Sequence, residues 1–235
     1  FKPDMIKIYP TLVVEGTGLY ESWRRGEYKS LEDGEAAELV AKILEATPSW
    51  VRVMRVQRDI PAHAIAAGVK KSNLRELAHR VLESKGVRCR CIRCREAGFS
   101  IAKANPEKVE LVVRRYSASQ GTEYFLSFED VENDVLLAYL RLREPSPHSH
   151  RREVNEASSM IVRELKALGR AMRFGVRGEE SWQHRGLGAR LMAEAEELAK
   201  ANGARKMLVT SAVGVREYYR RLGYFFDGTY MAKHL

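Results

Sequence analysis

The stretch QHRGLGA, residues 183–189, constrains this chain more than any other. It has the form Q-x-x-G-x-G and opens the clearest amphipathic helix in the sequence. From Arg190 onward, Leu191, Met192, Ala195, Leu198 and Ala199 fall on one face. Glu194, Glu196, Glu197 and Lys200 take much of the rest, which is the 3.6-residue period of a surface helix. The residues up to Trp182 carry no helical pattern, so the glycines sit in a loop that turns into a helix N-terminus. The first amide groups of a helix have no intrahelical partner, and its dipole adds partial positive charge there. Glycine lets a phosphate come close to such a backbone. The same residues also read as a plain turn before a helix. The order of elements around them has to decide.

The chain has 235 residues, enough for one large or two ordinary domains, and 45% hydrophobic residues, enough for a core. Its net charge of +9 points to an anionic partner, most often nucleic acid, or to a membrane surface, with plain solubility as the alternative. No run approaches the length of a membrane span, and no signal peptide is visible. The start, Phe1-Lys2-Pro3, lacks an initiator Met and lies almost inside a strand, so the chain is expected to be part of something longer. Three cysteines packed into a few residues do not suggest a secreted disulfide framework, and the expected compartment is cytoplasmic.

In chain order, residues 5–14 (MIKIYPTLVV) read as a strand broken by Gly16-Thr17-Gly18. A helical piece at 19–23, a helix at 35–46, a strand at 51–56 (VRVMRV) and a helix at 74–84 with Asn73 as its cap follow. Alternating strand and helix predicts parallel βα units, too few to close a sheet alone, as in the last strands of a barrel. Sites lie at the ends of such strands, which would turn Thr11 and Gln57 toward a ligand.

Next comes Arg88-Cys89-Arg90-Cys91-Ile92-Arg93-Cys94-Arg95. Three cysteines in six residues, Cys89, Cys91 and Cys94, suit a soft divalent metal such as zinc. A redox C-x-x-C and buried free thiols are the alternatives. No fourth ligand is obvious; His63 and His79 are the nearest histidines upstream, and His63 is taken as the candidate. The four arginines cannot all be buried without partners. Arg88, Arg90, Arg93 and Arg95 therefore read as an exposed basic knuckle for phosphates, extended by Lys70 and Lys71.

The pattern changes after Gly98. Strands are expected at 108–116, 123–128 and 134–142, with a polar turn at 130–134, then a solvated loop at 144–152. A central strand at 159–168 (SMIVRELKAL) precedes the basic, irregular segment 170–181 and the opening motif. A strand at 206–211, a short helix at 215–222 and a final strand at 224–233 complete the chain.

With its Q-x-x-G-x-G loop and the later Tyr219-Arg220-Arg221-Leu222-Gly223-Tyr224, the region 107–235 resembles the GNAT acyltransferase family. The resemblance implies that Gln183, Arg185, Gly186, Leu187, Gly188 and Ala189 hold the pyrophosphate of acetyl-CoA. It implies that the strand segment Glu164, Leu165, Lys166 and Ala167 splays from its neighbour and bonds the acyl-CoA through its backbone. Tyr219, with Tyr218 beside it, is implied as the general acid near the thioester sulfur. A phenol can protonate a leaving thiolate.

The segments KIYPTLVVEGTGLY, RVQRDIP, SNLREL, the Cys knuckle, QHRGLG and GVREYYRRLGY occur in the order found in the family of Elongator catalytic subunits. The dense Cys knuckle resembles its archaeal or bacterial single-subunit form. The implied fold is α/β: the C-terminal part of a radical-SAM barrel over 1–86, a zinc loop over 87–98, and a GNAT domain over 99–235 with a mixed, mostly antiparallel sheet and helices on both faces. The implied activity forms 5-carboxymethyluridine at the wobble position of tRNA, using acetyl-CoA, SAM and an iron–sulfur cluster. Implied partners are the tRNA anticodon stem–loop and a second copy or other Elongator subunits. In this family the cluster cysteines lie upstream, so the sequence as it stands is expected to lack the cluster. The competing readings are a plain GNAT acetyltransferase acting on protein lysine or a small amine, and a tRNA-binding module with a relic acyl-CoA pocket.

Overall fold

The computed structural model describes residues 1–100, 104–155, 158–168 and 186–235. Its backbone divides into two compact units, Pro3–Cys94 and Arg95–Leu235 with Phe1–Lys2. The first unit contains β1 (Met5–Ile8), β2 (Val13–Val14), α1 (Gly18–Arg24), α2 (Asp33–Ala46), β3 (Arg52–Val56), β4 (Ile65–Ala67) and α3 (Leu74–Ser84), followed by the one-turn α4 (Ile92–Arg95).

β1 and β3 pair in parallel, from Met5 opposite Arg52 to Ile8 opposite Val56. The parallel pairing expected from the strand–helix spacing is therefore present. The single strand expected over 5–14 is not. Pro10 has no amide to donate, and beyond it Val13 and Val14 pair antiparallel with β4 instead. Asn73 does occupy the N-cap of α3, but its amide donates to Glu76 Oε2 at 3.3 Å and caps no backbone group. Ala36, Val40 and Leu44 of α2 share one core with Leu74, Ala78 and Leu82 of α3 and with Val53 of β3.

The second unit runs α5 (Ala97–Ser100), β5 (Val109–Ala118), β6 (Gly121–Asp130), β7 (Val135–Glu144), α6 (Arg152–Asn155), β8 (Ser159–Ala167), α7 (Leu187–Ala201), β9 (Lys206–Val209), α8 (Arg216–Arg221), β10 (Phe225–Asp227) and β11 (Tyr230–His234). Its strands form one sheet in the order β10-β11-β9-β8-β7-β6-β5. Every pairing is antiparallel except β8 with β9. The expected mostly antiparallel sheet, with the strand beginning at Ser159 in its centre, is what forms. The final strand expected over 224–233 is instead a hairpin. Asp227-Gly228 is a turn dipeptide, and Gly228 takes φ +59° between β10 and β11.

Alternation along the strands separates the two faces. Met160, Val162, Met207, Val209 and Met231 pack with Leu187, Leu191, Met192, Ala195 and Ala199 of α7. Ile161, Leu208 and Ala232 pack with Val154 of α6. Helices thus cover both faces, as expected.

The strands β6 and β7 carry a second kind of core, made of ion pairs. Glu129 receives two guanidinium forks. Arg95 donates to it at 2.9 and 3.0 Å, and Arg114 at 2.6 and 3.0 Å. Ser127 adds a 2.6 Å hydrogen bond. Glu123 pairs likewise with Arg143 at 2.8 Å and Arg163 at 2.9 Å. Such charges are tolerated inside a protein only when paired and hydrogen-bonded. Glu129→Ala is therefore expected to lower the stability of this unit by about 3–5 kcal/mol, read as a shift in its urea midpoint, with Glu129→Gln falling between it and the wild type.

Candidate active site and metal centre

The centre of the sheet opens at one point. β8 pairs with β9 from Ser159 opposite Lys206 to Val162 opposite Val209, and the Thr210 amide donates to the Val162 carbonyl at 2.9 Å. Beyond Val162, β8 continues to Ala167 beside β7 and has no β9 partner. The register with β7 slips at this place: Arg141 faces Glu164 and Leu142 faces Val162, leaving Arg163 as an extra residue. A bulge bends and twists the strand that carries it, so β8 turns away from β9 over Glu164, Leu165, Lys166 and Ala167.

α7 begins at this opening. Gly186 is its N-cap, with φ +71°, a conformation that glycine adopts without strain. The first intrahelical hydrogen bond runs from the Arg190 amide to the Gly186 carbonyl at 3.1 Å. The amides of Leu187, Gly188 and Ala189 precede it, and among the described residues no side chain caps them. They form an anion-binding end of a 15-residue helix. Leu187 is buried on the sheet, whereas Ala189 is exposed. Gln183 and Arg185 lie outside the described residues.

Tyr218 on α8 closes over this end. A methyl group added at Gly188 would lie 3.0 Å from Tyr218 Oη and 3.9 Å from Leu165 Cδ2. The opened strand, the helix N-terminus and a phenol thus converge. Tyr219, the residue that aligns with the family motif, is placed differently. It is 6% exposed, belongs to the apolar core, and stacks edge-on against Tyr218 and Tyr224. Burial, with Tyr218 beside it, pushes its hydroxyl up to about 12, and burial also raises that of Tyr218. Both phenols are neutral near pH 7 and able to donate a proton. Tyr218, 36% exposed, is the one that meets the opening.

Glu164 points to the side where the charges are paired. Arg141 Nε donates to it at 2.8 Å, Tyr139 Oη at 3.0 Å, and Lys166 Nζ lies 2.7 Å away. Burial favours its neutral form, but the hydrogen bonds from Lys166 and Arg141 hold the carboxyl below the usual range. A carboxylate held in this way is a weak base. Nothing in the sequence marked Arg141, which is fully buried against the stacked Phe125 and Tyr139 rings.

The three thiols lie together in the first unit, with sulfur atoms within 4.8 Å of one another. Their segment is fastened along β3. The Ile92 amide donates to the Val51 carbonyl at 3.0 Å, and the Arg93 guanidinium to that of Met54 at 2.7 Å. Cys91 and Cys94 are 3.6 Å apart. Hydrogen bonds from Cys89 and Cys94 favour the thiolate of Cys91, and Cys89 is pushed up to about 11 by its bond to that sulfur. Three sulfur donors this close suit a soft divalent metal.

The histidine beside them is His79, whose Nε2 lies 3.7 Å from Cys94 Sγ. His63 sits exposed in a single 3-10 turn, Ala62–Ala64, and is not in the thiol group. The histidine that the structure sets beside the thiols is thus not the one the sequence suggested: α3 carries His79 one turn past Arg75.

Arg95 is also corrected. It is 2% exposed and committed to Glu129 and Asp134, so it is closed to phosphate. Arg88, Arg90 and Lys70 are exposed, and Lys71 is exposed beside Asp33 at 3.9 Å.

The fold and this site define an acyltransferase domain. Residues 96–224, more than half of the chain, match the Acetyltransferase (GNAT) family, and the chain belongs to that family. Residues 3–84 match the Radical_SAM C-terminal domain. The whole chain is similar to the tRNA uridine(34) acetyltransferase of Methanocaldococcus infernus, with 53% identity over 242 residues, covering 45% of that protein. It is 47% identical over 238 residues to the human Elongator complex protein 3, covering 43% of it. The solved structure of the archaeal Methanocaldococcus infernus Elp3 with an N-terminus deletion superposes with a TM-score of 0.91 at 52% identity, over all of this chain and 56% of that one. The chain thus spans about half the length of the relatives it matches.

Gly188→Val would drive a side chain into Tyr218 Oη. It is expected to weaken CoA binding by at least about tenfold in isothermal titration, a loss of ~1.4 kcal/mol or more, with the far-ultraviolet spectrum unchanged.

Proposed function

We propose that this chain supplies the acetyl-CoA site and a structural zinc site of an enzyme that builds 5-carboxymethyluridine at the wobble position of tRNA. The observation that carries the reading is the convergence of the opened β8, the uncapped start of α7 and Tyr218, in a chain so similar to proteins named tRNA uridine(34) acetyltransferase.

The amides of Leu187, Gly188 and Ala189 hold the pyrophosphate, and the backbone of residues 164–167 lines the pantetheine arm. Cleavage of the thioester releases CoA as a thiolate, which needs a proton. Neutral Tyr218 supplies it, and water provides the new carboxyl oxygen. Before that, one hydrogen must leave the acetyl methyl and one must leave uracil carbon 5 for the carbon–carbon bond to form. S-adenosylmethionine and an iron–sulfur cluster supply the hydrogen-abstracting chemistry when bound. All three cysteines of the sequence lie in the thiol group, so none remains to ligate such a cluster.

The thiol group with His79 fits zinc. Bonds of about 2.3 Å to sulfur and about 2.0 Å to nitrogen give tetrahedral edges of ~3.6–3.8 Å. The edge from Cys91 to Cys94 is 3.6 Å and that from Cys94 to His79 is 3.7 Å; the group whose ligand atoms all lie within 4.8 Å of one another is the three cysteines alone, so His79 would have to move inward to complete a tetrahedron. With His79 as the fourth ligand such a site would have no open position and would be structural. Acetyl transfer to lysine or a small amine is the weaker reading, because Glu164 is held as a carboxylate by Lys166 and Arg141.

Exposed Lys70, Lys71, Arg88 and Arg90 provide the phosphate contacts proposed for tRNA. Binding of an anticodon stem–loop should therefore weaken steeply between 50 and 200 mM salt, as ~4 phosphate contacts require; a salt-independent complex, or none at low salt, would count against this reading. Tyr218→Phe in the whole protein should lower kcat about 10²-fold or more with KM for acetyl-CoA unchanged. For the metal, plasma mass spectrometry should find zinc in the wild type and in His63→Ala, and little in His79→Ala or Cys91→Ser.

A further inference from the structure

The ring of Tyr218 reaches the opening from a helix too short to hold it there alone. α8 has six residues, and a helix of that length forms only where packing holds it. What it packs with is a row of phenols. Tyr218 meets Tyr219 edge-on at 5.2 Å between ring centres, and Tyr219 meets Tyr224 edge-on at 6.0 Å. Tyr218 and Tyr219 are neighbours in the chain. A hold on the ring of one therefore sets the direction in which the other leaves the helix.

The row ends on α7. Tyr224 is 3% exposed, and its hydroxyl donates to Glu196 Oε1 at 2.8 Å. Lys233 Nζ, from β11, donates to the other oxygen of the same carboxylate at 2.7 Å. Burial and the Glu196 carboxylate raise the Tyr224 hydroxyl, which keeps it the donor of this bond. A hydrogen bond to an ionised group is roughly twice as strong as a neutral one. The other two glutamates of α7, Glu194 and Glu197, are exposed, whereas the Glu196 side chain is turned inward to this pair of donors. The circuit then closes on itself. The first turn of α7 carries Gly188, over which Tyr218 lies, and about two turns further on the same helix carries the anchor of the ring row.

We propose that Glu196 is a positioning residue for proton donation by Tyr218: through Tyr224 and Tyr219 it sets Tyr218 Oη over the first turn of α7. The inference rests on the reading of Tyr218 as the proton donor. In that step the O–H bond of Tyr218 breaks and an S–H bond forms on the departing CoA thiolate. The phenolate left behind takes a proton from water. Glu196 neither gains nor loses a proton; it decides where the donor stands. A displacement of about 1 Å at a reacting group costs up to 10²-fold in rate.

The test uses the whole protein. Glu196→Ala should lower kcat by about tenfold to 10²-fold, with KM for acetyl-CoA unchanged because the start of α7 and the opened β8 are intact. Tyr224→Phe removes one oxygen and keeps the ring, so it breaks the same link without emptying the core, and kcat should fall in the same direction. Glu196→Gln keeps an acceptor for the phenol and should recover most of the rate. In a Tyr218→Phe background, Glu196→Ala should cost nothing further, since residues that act through one group are not additive. Losses that add in the double variant, a change confined to KM, or an unchanged kcat in both Glu196→Ala and Tyr224→Phe overturn the proposal. Fluorine NMR of the protein carrying 3-fluorotyrosine reads the ring itself, with the Tyr218 signal assigned from Tyr218→Phe. That signal should shift or split in Glu196→Ala and Tyr224→Phe, and a signal that stays in place overturns the proposal. If Tyr218→Phe alone keeps the wild-type kcat, proton donation by Tyr218 is what fails, and the fluorine signal then decides whether Glu196 places the ring.

Discussion

The site of the second unit depends on the parting of β8 from β9 after Val162. A parallel strand pair normally continues as long as both chains extend. Here an extra residue, Arg163, turns β8 on the side of β7, and β9 leaves toward α8. A strand relieved of one neighbour offers backbone donors and acceptors to something else. The start of α7 and the ring of Tyr218 stand at the same gap. Recognition of an extended, amide-bearing ligand follows from strand geometry, and recognition of its charge follows from helix geometry. Few side chains are needed for either.

The parts of this arrangement differ in how plainly the sequence displays them. The amphipathic α7 and its glycines are legible because period and backbone freedom are local properties. The central position of β8 is legible from its apolar run. The turn at Asp227-Gly228 is equally local, but the apolar residues on both sides of it make 224–233 read as one strand. The break at Pro10 was masked in the same way. His79 and Arg95 are another matter. Four arginines among cysteines look alike in one dimension. Only the fold brings Glu129, 34 positions further on, to Arg95. The choice between His63 and His79 rests on which way α3 returns, and no spacing rule encodes that. Tyr218 and Tyr219 are adjacent in a motif, yet the turn of a helix sends one to the gap and the other into the core.

In the first unit the thiol segment and the parallel strands are one construction. Backbone bonds from Ile92 and a guanidinium from Arg93 fasten the knuckle to β3. A third bond runs from the Arg75 guanidinium on α3 to the Val53 carbonyl at 2.9 Å. A metal held by Cys89, Cys91, Cys94 and His79 would tie the same helix to the same strand, whose carboxyl end carries Gln57. The thiol group and the strand end are thus mechanically joined through five residues of β3.

The paired charges between β6, β7 and β8 have a consequence for how such a domain can change over time. Glu129 serves two arginines, Glu123 serves two more, and Glu164 serves Arg141 and Lys166. Loss of any one glutamate takes a partner from two cations at once, so a single exchange at these positions is costly. The tolerated routes through sequence space exchange a glutamate together with its arginines, or leave all of them alone. This layer therefore behaves as a ratchet: once assembled, it is kept as a set while the surfaces around it drift.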